Sequence, residues 1–200
     1  MKTRTEKRGP VLLKAGLVPL KAGFTLIELL VVIAILGILM AMMVPAAGLI
    51  LKRAKISTAK GDAGVIGTVL LKYQAEYNRW PGFYKPGEGE QNLTDKVWVD
   101  AMSPSPRQDG DPPLPNNFKH IVFFEPSGGS LAPVGDPNVG AFVDPWGQPY
   151  EYELDLDGDG QCAHPYEESE TALIPGRVIV WSAGPDKDYA TWEDNVTSWE

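Results

Sequence analysis

From Leu29 to Leu51 the chain runs 23 residues without a charge. As a helix this run would be about 34 Å long, at roughly 1.5 Å per residue, enough to cross a bilayer. The competing reading is a core helix buried in a 200-residue chain with a small acidic body. Beyond it the pattern changes. Ala59, Ala63, Ile66, Leu70, Tyr73 and Tyr77 follow steps of 4, 3, 4, 3 and 4, which puts them on one stripe of a helix. Lys52 to Arg79 therefore reads as a continuation of the same helix, with the stripe packed on a small sheet. Gly61, Gly64 and Gly67 weaken that helix and mark places where a sheet or a neighbour could approach closely. Asn78-Arg79-Trp80-Pro81-Gly82 ends it, because Pro81 cannot continue a helix and Gly82 permits a turn.

Residues 81–118 are rich in Pro and Gly, with short apolar breaks such as Val97-Trp98-Val99. They read as a long variable loop with at most one helical turn. Candidate strands follow at Lys119–Glu125, Gln148–Leu156 and Arg177–Ala183. Tyr150, Tyr152 and Leu154 alternate with Glu151, Glu153 and Asp155, which predicts one buried and one acidic face. The expected fold class is α+β, a long N-terminal helix packed on a small antiparallel sheet.

Charge sharpens the division. Lys2, Arg4, Lys7, Arg8, Lys14 and Lys21 stand against Glu6 in residues 1–23, a surplus of five positive charges. With a chain total of -8, the remainder carries -13. A body so acidic argues against nucleic acid as a partner and suits a soluble surface or divalent cations. Cys162 is the only cysteine, so neither an internal disulfide nor a cysteine-based zinc site is available. Six basic residues precede the apolar run, and Lys52, Arg53, Lys55 and Lys60 follow it. The count favours the N-terminus on the cytoplasmic side.

A secretory signal would also be basic and then apolar, but its small-residue cut site lies after the apolar run. Here Lys21-Ala22-Gly23 lies before it. Gly23-Phe24-Thr25-Leu26-Ile27-Glu28-Leu29-Leu30 and the run that follows resemble the processing motif of type IV prepilins and type II secretion pseudopilins. The resemblance implies that a prepilin peptidase cuts after Gly23 and methylates Phe24, and that Glu28 is the acidic residue five positions on. Leu13-Lys14-Ala15-Gly16 nearly repeats Leu20-Lys21-Ala22-Gly23, but Lys21 stands where the acid should be, so the first copy should be ignored. The organisation implied is a leader at 1–23, a transmembrane helix at 24–51, its periplasmic continuation at 52–80 and a pilin-like globular body at 81–200. The protein would sit as a single-pass subunit in the bacterial inner membrane with its body in the periplasm.

A carboxylate near the start of a membrane span is costly unless paired. Pairing of Glu28 with the Phe24 amine, of its own or a neighbouring subunit, would neutralise both charges and register assembly. The bland alternative is an acid tolerated at a helix N-terminus, where the dipole favours it. Pro45 should break one backbone hydrogen bond and kink the span. Gly37 and Gly48 could allow close helix contact.

Two further stretches resemble type II secretion major pseudopilins. Asp144-Pro145-Trp146-Gly147-Gln148-Pro149-Tyr150 resembles a signature of that group, with a structural role expected: a tight turn that buries Trp146 and Tyr150 on the helix. Residues 182–199 resemble its calcium loop. The resemblance implies calcium, with Asp186, Asp188, Glu193, Asp194 and Asn195 supplying oxygens. Lys187 departs from the pattern, and a solvated acidic turn is the alternative. Asp155-Leu156-Asp157-Gly158-Asp159-Gly160 looks like the start of an EF-hand loop, but its twelfth position is Tyr166, not glutamate. A hairpin turn is the preferred reading. His120 and His164 lack partners at catalytic or metal spacing, so no enzyme is expected. The function implied is a structural one: a homo-oligomeric helical filament, built on an inner-membrane assembly platform with other pseudopilins, that drives protein export. A type IV pilus subunit and a membrane-tethered binding domain are the alternatives.

Overall fold

The computed structural model describes residues 23–85, 92–106, 113–165 and 173–199; the side chains of residues 42–47 lie outside the described set. Residues 1–22 of the leader fall outside it as well, and so does the Pro45 side chain, on which the expected kink depends. The chain divides into two compact units between Ala46 and Ala47.

Helix α1, Leu26–Tyr77, contributes to both units. In the first unit every described side chain from Gly23 to Ala41 is exposed. Among the described residues no helix is long and apolar enough to cross a membrane. The uncharged run Leu29–Leu51 contains residues 42–47, so its described parts are each shorter than a span needs to be.

The second unit is built on the other half of α1. Ala59, Ala63, Ile66, Leu70 and Tyr73 are fully buried, as their spacing predicts. They form one core with Trp98, Met102, Phe124, Phe142, Tyr150, Tyr152 and Val180. Asn78, at φ 52°, ends α1 in the left-handed conformation usual just past a helix. Trp80 then donates its indole N–H to the Asp155 carbonyl, at 2.7 Å. A Cβ built on Gly61, Gly64 or Gly67 would meet nothing within 4 Å among the described residues, so the close approach expected at these glycines is not seen among them.

The segment 81–118 holds more structure than its composition suggests. Helix α2, Lys96–Met102, is capped by the Asp95 carboxylate, which accepts from the Trp98 amide. Thr94 is fully buried. Its hydroxyl donates to the Phe142 carbonyl and accepts from the Tyr150 amide.

Two expected strands are present in shortened form: β1, Glu151–Leu154, and β4, Val178–Ser182. They pair antiparallel, with Glu151 opposite Trp181, and β5, Val196–Thr197, extends the sheet in the order β1-β4-β5. A second pair, β2 (Gln161–Ala163) and β3 (Leu173–Pro175), was not expected. The segment Lys119–Glu125 is not a strand. His120 sits at φ 53°, and the amides of Phe123 and Phe124 both converge on the Met102 carbonyl, which a ladder would not allow.

The acidic face expected on β1 is also absent. Glu151 and Asp155 are only 2% and 3% exposed. The cause is a second apolar cluster, Cys162, Ile174, Ile179 and Trp181, with Tyr189, Trp192 and Trp199 packed on it. Along β4 the residues alternate between the two clusters: Val178 and Val180 join the α1 core, Ile179 and Trp181 the other. The sheet is therefore covered on both faces.

Asn117 ties the variable segment together. It is fully buried. Its Nδ2 donates to the carbonyls of Ala101 and Ile121, and its Oδ1 accepts from the Tyr77 hydroxyl and the Ile121 amide. Asn117→Ala would orphan several buried groups and should cost about 3 kcal/mol. A thermal melt of the detergent-solubilised protein checks this; an unchanged melting temperature would contradict it.

Asp62 on α1 accepts from the Tyr150 hydroxyl at 3.1 Å. Burial holds its carboxyl above the ordinary range; the Tyr150 bond opposes the rise and the Asp144 charge adds to it. A carboxyl whose pKa rises on folding favours the folded state while protonated. That stability is present below the unfolded value of about 3.9 and is lost as pH climbs through the raised one. Asp62→Asn keeps an acceptor for Tyr150 and removes the loss. The variant should melt above the parent at neutral pH and converge with it in acid; a gap that ignores pH would contradict this.

Candidate functional site

The N-terminal site is small and local. Gly23 and Phe24 precede α1 and are exposed, Phe24 by 76%. Thr25 is followed three residues later by Glu28, the spacing of a capping box. The Thr25 amide and hydroxyl both donate to Glu28 Oε2, at 2.8 and 2.7 Å, and the Glu28 amide donates back to the Thr25 hydroxyl at 3.2 Å. Glu28 thus satisfies donors at the start of the helix, next to the peptide at which the motif places the cut. The part played by Thr25 was not singled out in the sequence, although the T-x-x-E spacing carries it.

The turn at 144–150 is the best-built motif of the body. The Asp144 amide donates to the Gln148 carbonyl and the Gly147 amide to the Asp144 carbonyl. Gly147 takes φ 93°, which only glycine adopts without strain. Asp144 Oδ1 accepts from the amides of Trp146 and Gln148, both at 2.9 Å. Its Oδ2 accepts from the Ser182 hydroxyl of β4 at 2.5 Å. Burial pushes the Asp144 carboxyl up, against the pull of these donors. Tyr150 is fully buried, while Trp146 is half-buried with the Lys55 ammonium 5.9 Å from its ring.

The C-terminal loop closes on Gly184, at φ 70°. A Cβ there would stand 2.3 Å from the Asp194 carbonyl oxygen, so no side chain fits. Asp186, Asp188 and Glu193 are exposed. Asp186 Oδ1 accepts from the Asp188 amide and Asp188 Oδ1 from the Ala190 amide, both local turns. Asn195 donates its Nδ2 to the Tyr189 carbonyl at 2.9 Å. Asp194 Oδ1 and Asn195 Oδ1 are buried and have no hydrogen-bond partner among the described residues. The two residues line a cavity of about 250 Å³ together with Lys52, Ile56, Lys60 and Glu193. Of the five candidate oxygen donors, then, adjacent Asp194 and Asn195 hold buried unsatisfied oxygens, and the other three reach solvent. The Lys187 ammonium lies about 4.0 Å from the Cβ position of Gly147, over the 144–150 turn.

Among the described residues, the acids that converge within 4.8 Å are Asp155, Asp157 and Asp159 instead. Asp155 uses its two oxygens on the amides of Gly158 and Gly160, and the other two aspartates cap Asp159 and Gln161. These bonds account for the turn. It is not a two-stranded hairpin, since β1 pairs with β4 and β2 with β3. Tyr166 and Glu167 lie outside the described residues. His164 packs on Trp192, at 5.0 Å between ring centres. Burial pushes the Cys162 thiol up to about 12, which leaves it without nucleophilic character at neutral pH.

Residues 19–44 match the prokaryotic N-terminal methylation motif. Type II secretion system core protein G of Pseudomonas aeruginosa is 33% identical over 132 residues, 66% of this chain and 72% of that protein. Its counterpart in Aeromonas hydrophila is 27% identical over 179 residues, 90% of this chain and 92% of that protein. A fimbrial protein of Neisseria meningitidis serogroup B is 43% identical over 63 residues, 32% of this chain and 37% of that protein. No solved structure matches the chain significantly. With the motif at its head and the likeness extending through the body, the chain belongs to the type IV pilin-like family of type II secretion system core protein G, and is a subunit of a secretion pseudopilus.

Proposed function

We propose that the chain is cut after Gly23 by a prepilin peptidase, methylated on the Phe24 amine and held in the bacterial inner membrane by the helix 24–51, its body in the periplasm. It then joins other copies in a helical filament, raised on an inner-membrane assembly platform with other pseudopilins. The observation that carries this reading is the exposure of the described side chains from Gly23 to Ala41. Leu26, Ile27, Ile33, Ile38 and Met40 are each at least 60% exposed. Apolar surface of that extent is not left in water. Lipid would cover it in the membrane, and copies of the same helix would cover it in a filament. The role is structural, not catalytic. The pilus alternative rests on the shorter fimbrial likeness, and the longer likeness through the body favours secretion.

Glu28 is the acid that this environment makes costly. Thr25 satisfies one of its oxygens in the single subunit. In the filament, the Phe24 amine freed by cutting on a neighbouring copy would supply the opposite charge. Calcium at the C-terminal loop completes the reading. Asp194 and Asn195 would hold it, with Asp186, Asp188 and Glu193 as the remaining side-chain donors, and hard oxygen donors suit that ion. Their two buried, unsatisfied oxygens support the assignment. A bound ion would cross-link the loop and stiffen it.

Glu28→Ala should be cut and methylated as the parent is, yet yield far less cross-linked filament. Mass spectrometry of the mature N-terminus and immunoblotting of cross-linked cells read the two steps; a normal filament yield would count against the pairing. Calcium should raise the melting temperature of the parent but not of Asp194→Ala. Equal rises in both would remove calcium from this loop.

A further inference from the structure

The 144–150 turn and the C-terminal loop are distant in sequence but joined by a continuous set of hydrogen bonds. The Gly184 amide donates to the Ser182 hydroxyl at 3.0 Å, and that hydroxyl donates its own proton to Asp144 Oδ2 at 2.5 Å. The other Asp144 oxygen is held by the amides of Trp146 and Gln148. Ser182 and Gly184 are buried, and Asp144 is only 4% exposed. Gly184 in turn stands against the Asp194 backbone, with no room for a side chain between them. A second link is independent of the first: the Tyr189 hydroxyl donates to the Pro149 carbonyl, and the Tyr189 carbonyl accepts from Asn195 Nδ2. Both links run from the turn to one of the two residues that carry buried, unsatisfied oxygens.

We propose that Asp144 and Ser182 are positioning residues for the C-terminal oxygen site: the turn at 144–150 is the base on which Asp194 and Asn195 are held ready for a cation. This inference rests on the calcium reading of that loop. It gives the signature turn a purpose beyond packing Tyr150 against α1. The direction of each bond matters. Ser182 accepts from the Gly184 amide and gives its single proton to Asp144, which accepts it as a carboxylate. An amide at 144 could keep Oδ1 for Trp146 and Gln148. It would present N–H groups to the serine oxygen and take away the acceptor of the serine proton, so the bond from Ser182 to residue 144 would be lost in its present direction while the turn survives. Residues that support metal ligands in this way change metal affinity without being ligands.

The test titrates calcium alone into the detergent-solubilised, processed subunit, for the parent, Ser182→Ala and Asp144→Asn. Amide exchange without calcium is followed in parallel. Both variants should bind calcium about 10- to 100-fold more weakly. In both, the amides of residues 184–195 should exchange faster, while those of β1 and α1 keep the parent's protection. Parent-like calcium affinity in both variants would overturn the positioning role and leave the calcium reading standing. Loss of protection throughout the body of both variants would overturn it too, by making the pair a general stabiliser. A parent that takes up no calcium would overturn the calcium reading itself, and this inference with it.

Discussion

The stripe of α1 from Ala59 to Tyr73 must be kept from water, and the body is arranged around that demand. The stripe opens with two alanines and widens to Ile66, Leu70 and Tyr73, all fully buried. Small residues let the covering segments come near the helix at one end, and larger ones fill the space at the other. Tyr150 reaches the helix through Asp62, and Tyr77 reaches Asn117, so polar contacts fix the position of an apolar seam. Trp98, Phe124 and Phe142 pack together across it, with ring centres 4.8–6.4 Å apart. Short irregular segments can do this work because each is held by a buried polar side chain, Thr94 or Asn117, in place of a long ladder.

How much of this was legible in the sequence depended on periodicity. The α1 stripe repeats over five steps, and its residues are buried from Ala59 to Tyr73 and half-buried at Tyr77. The 144–150 turn was legible because Pro and Gly restrict the backbone in known ways. Strands of two or three residues, such as β5 and β2, are too short to show alternation. The burial of Glu151 and Asp155 could not be read from β1 alone, because it depends on Ile174, Ile179 and Trp181, which lie in other segments. Lys119–Glu125 looked like a strand by composition. Its backbone amides bond to Met102, Asn117 and Tyr77, and composition carries no information about these partners.

The candidate sites show the same division. Gly23, Phe24 and Glu28 lie within six residues, so a motif could find them; the Thr25 cap lies in the same stretch, but its T-x-x-E spacing was not singled out. The five oxygen donors of the C-terminal loop were found by type. Their inequality was not, because it follows from the closure of the loop at Gly184 against Asp194. The two halves of α1 serve different ends with one continuous backbone. The first exposes apolar side chains that another copy or lipid must cover, and the second carries a core of its own.

The measurement that tests the secretion role most directly is quantitative mass spectrometry of the culture medium and periplasm from cells lacking this gene. The account predicts that a defined set of exported proteins disappears from the medium and accumulates in the periplasm, and returns to the medium when the gene is restored. An unchanged medium, with no periplasmic build-up, would contradict it.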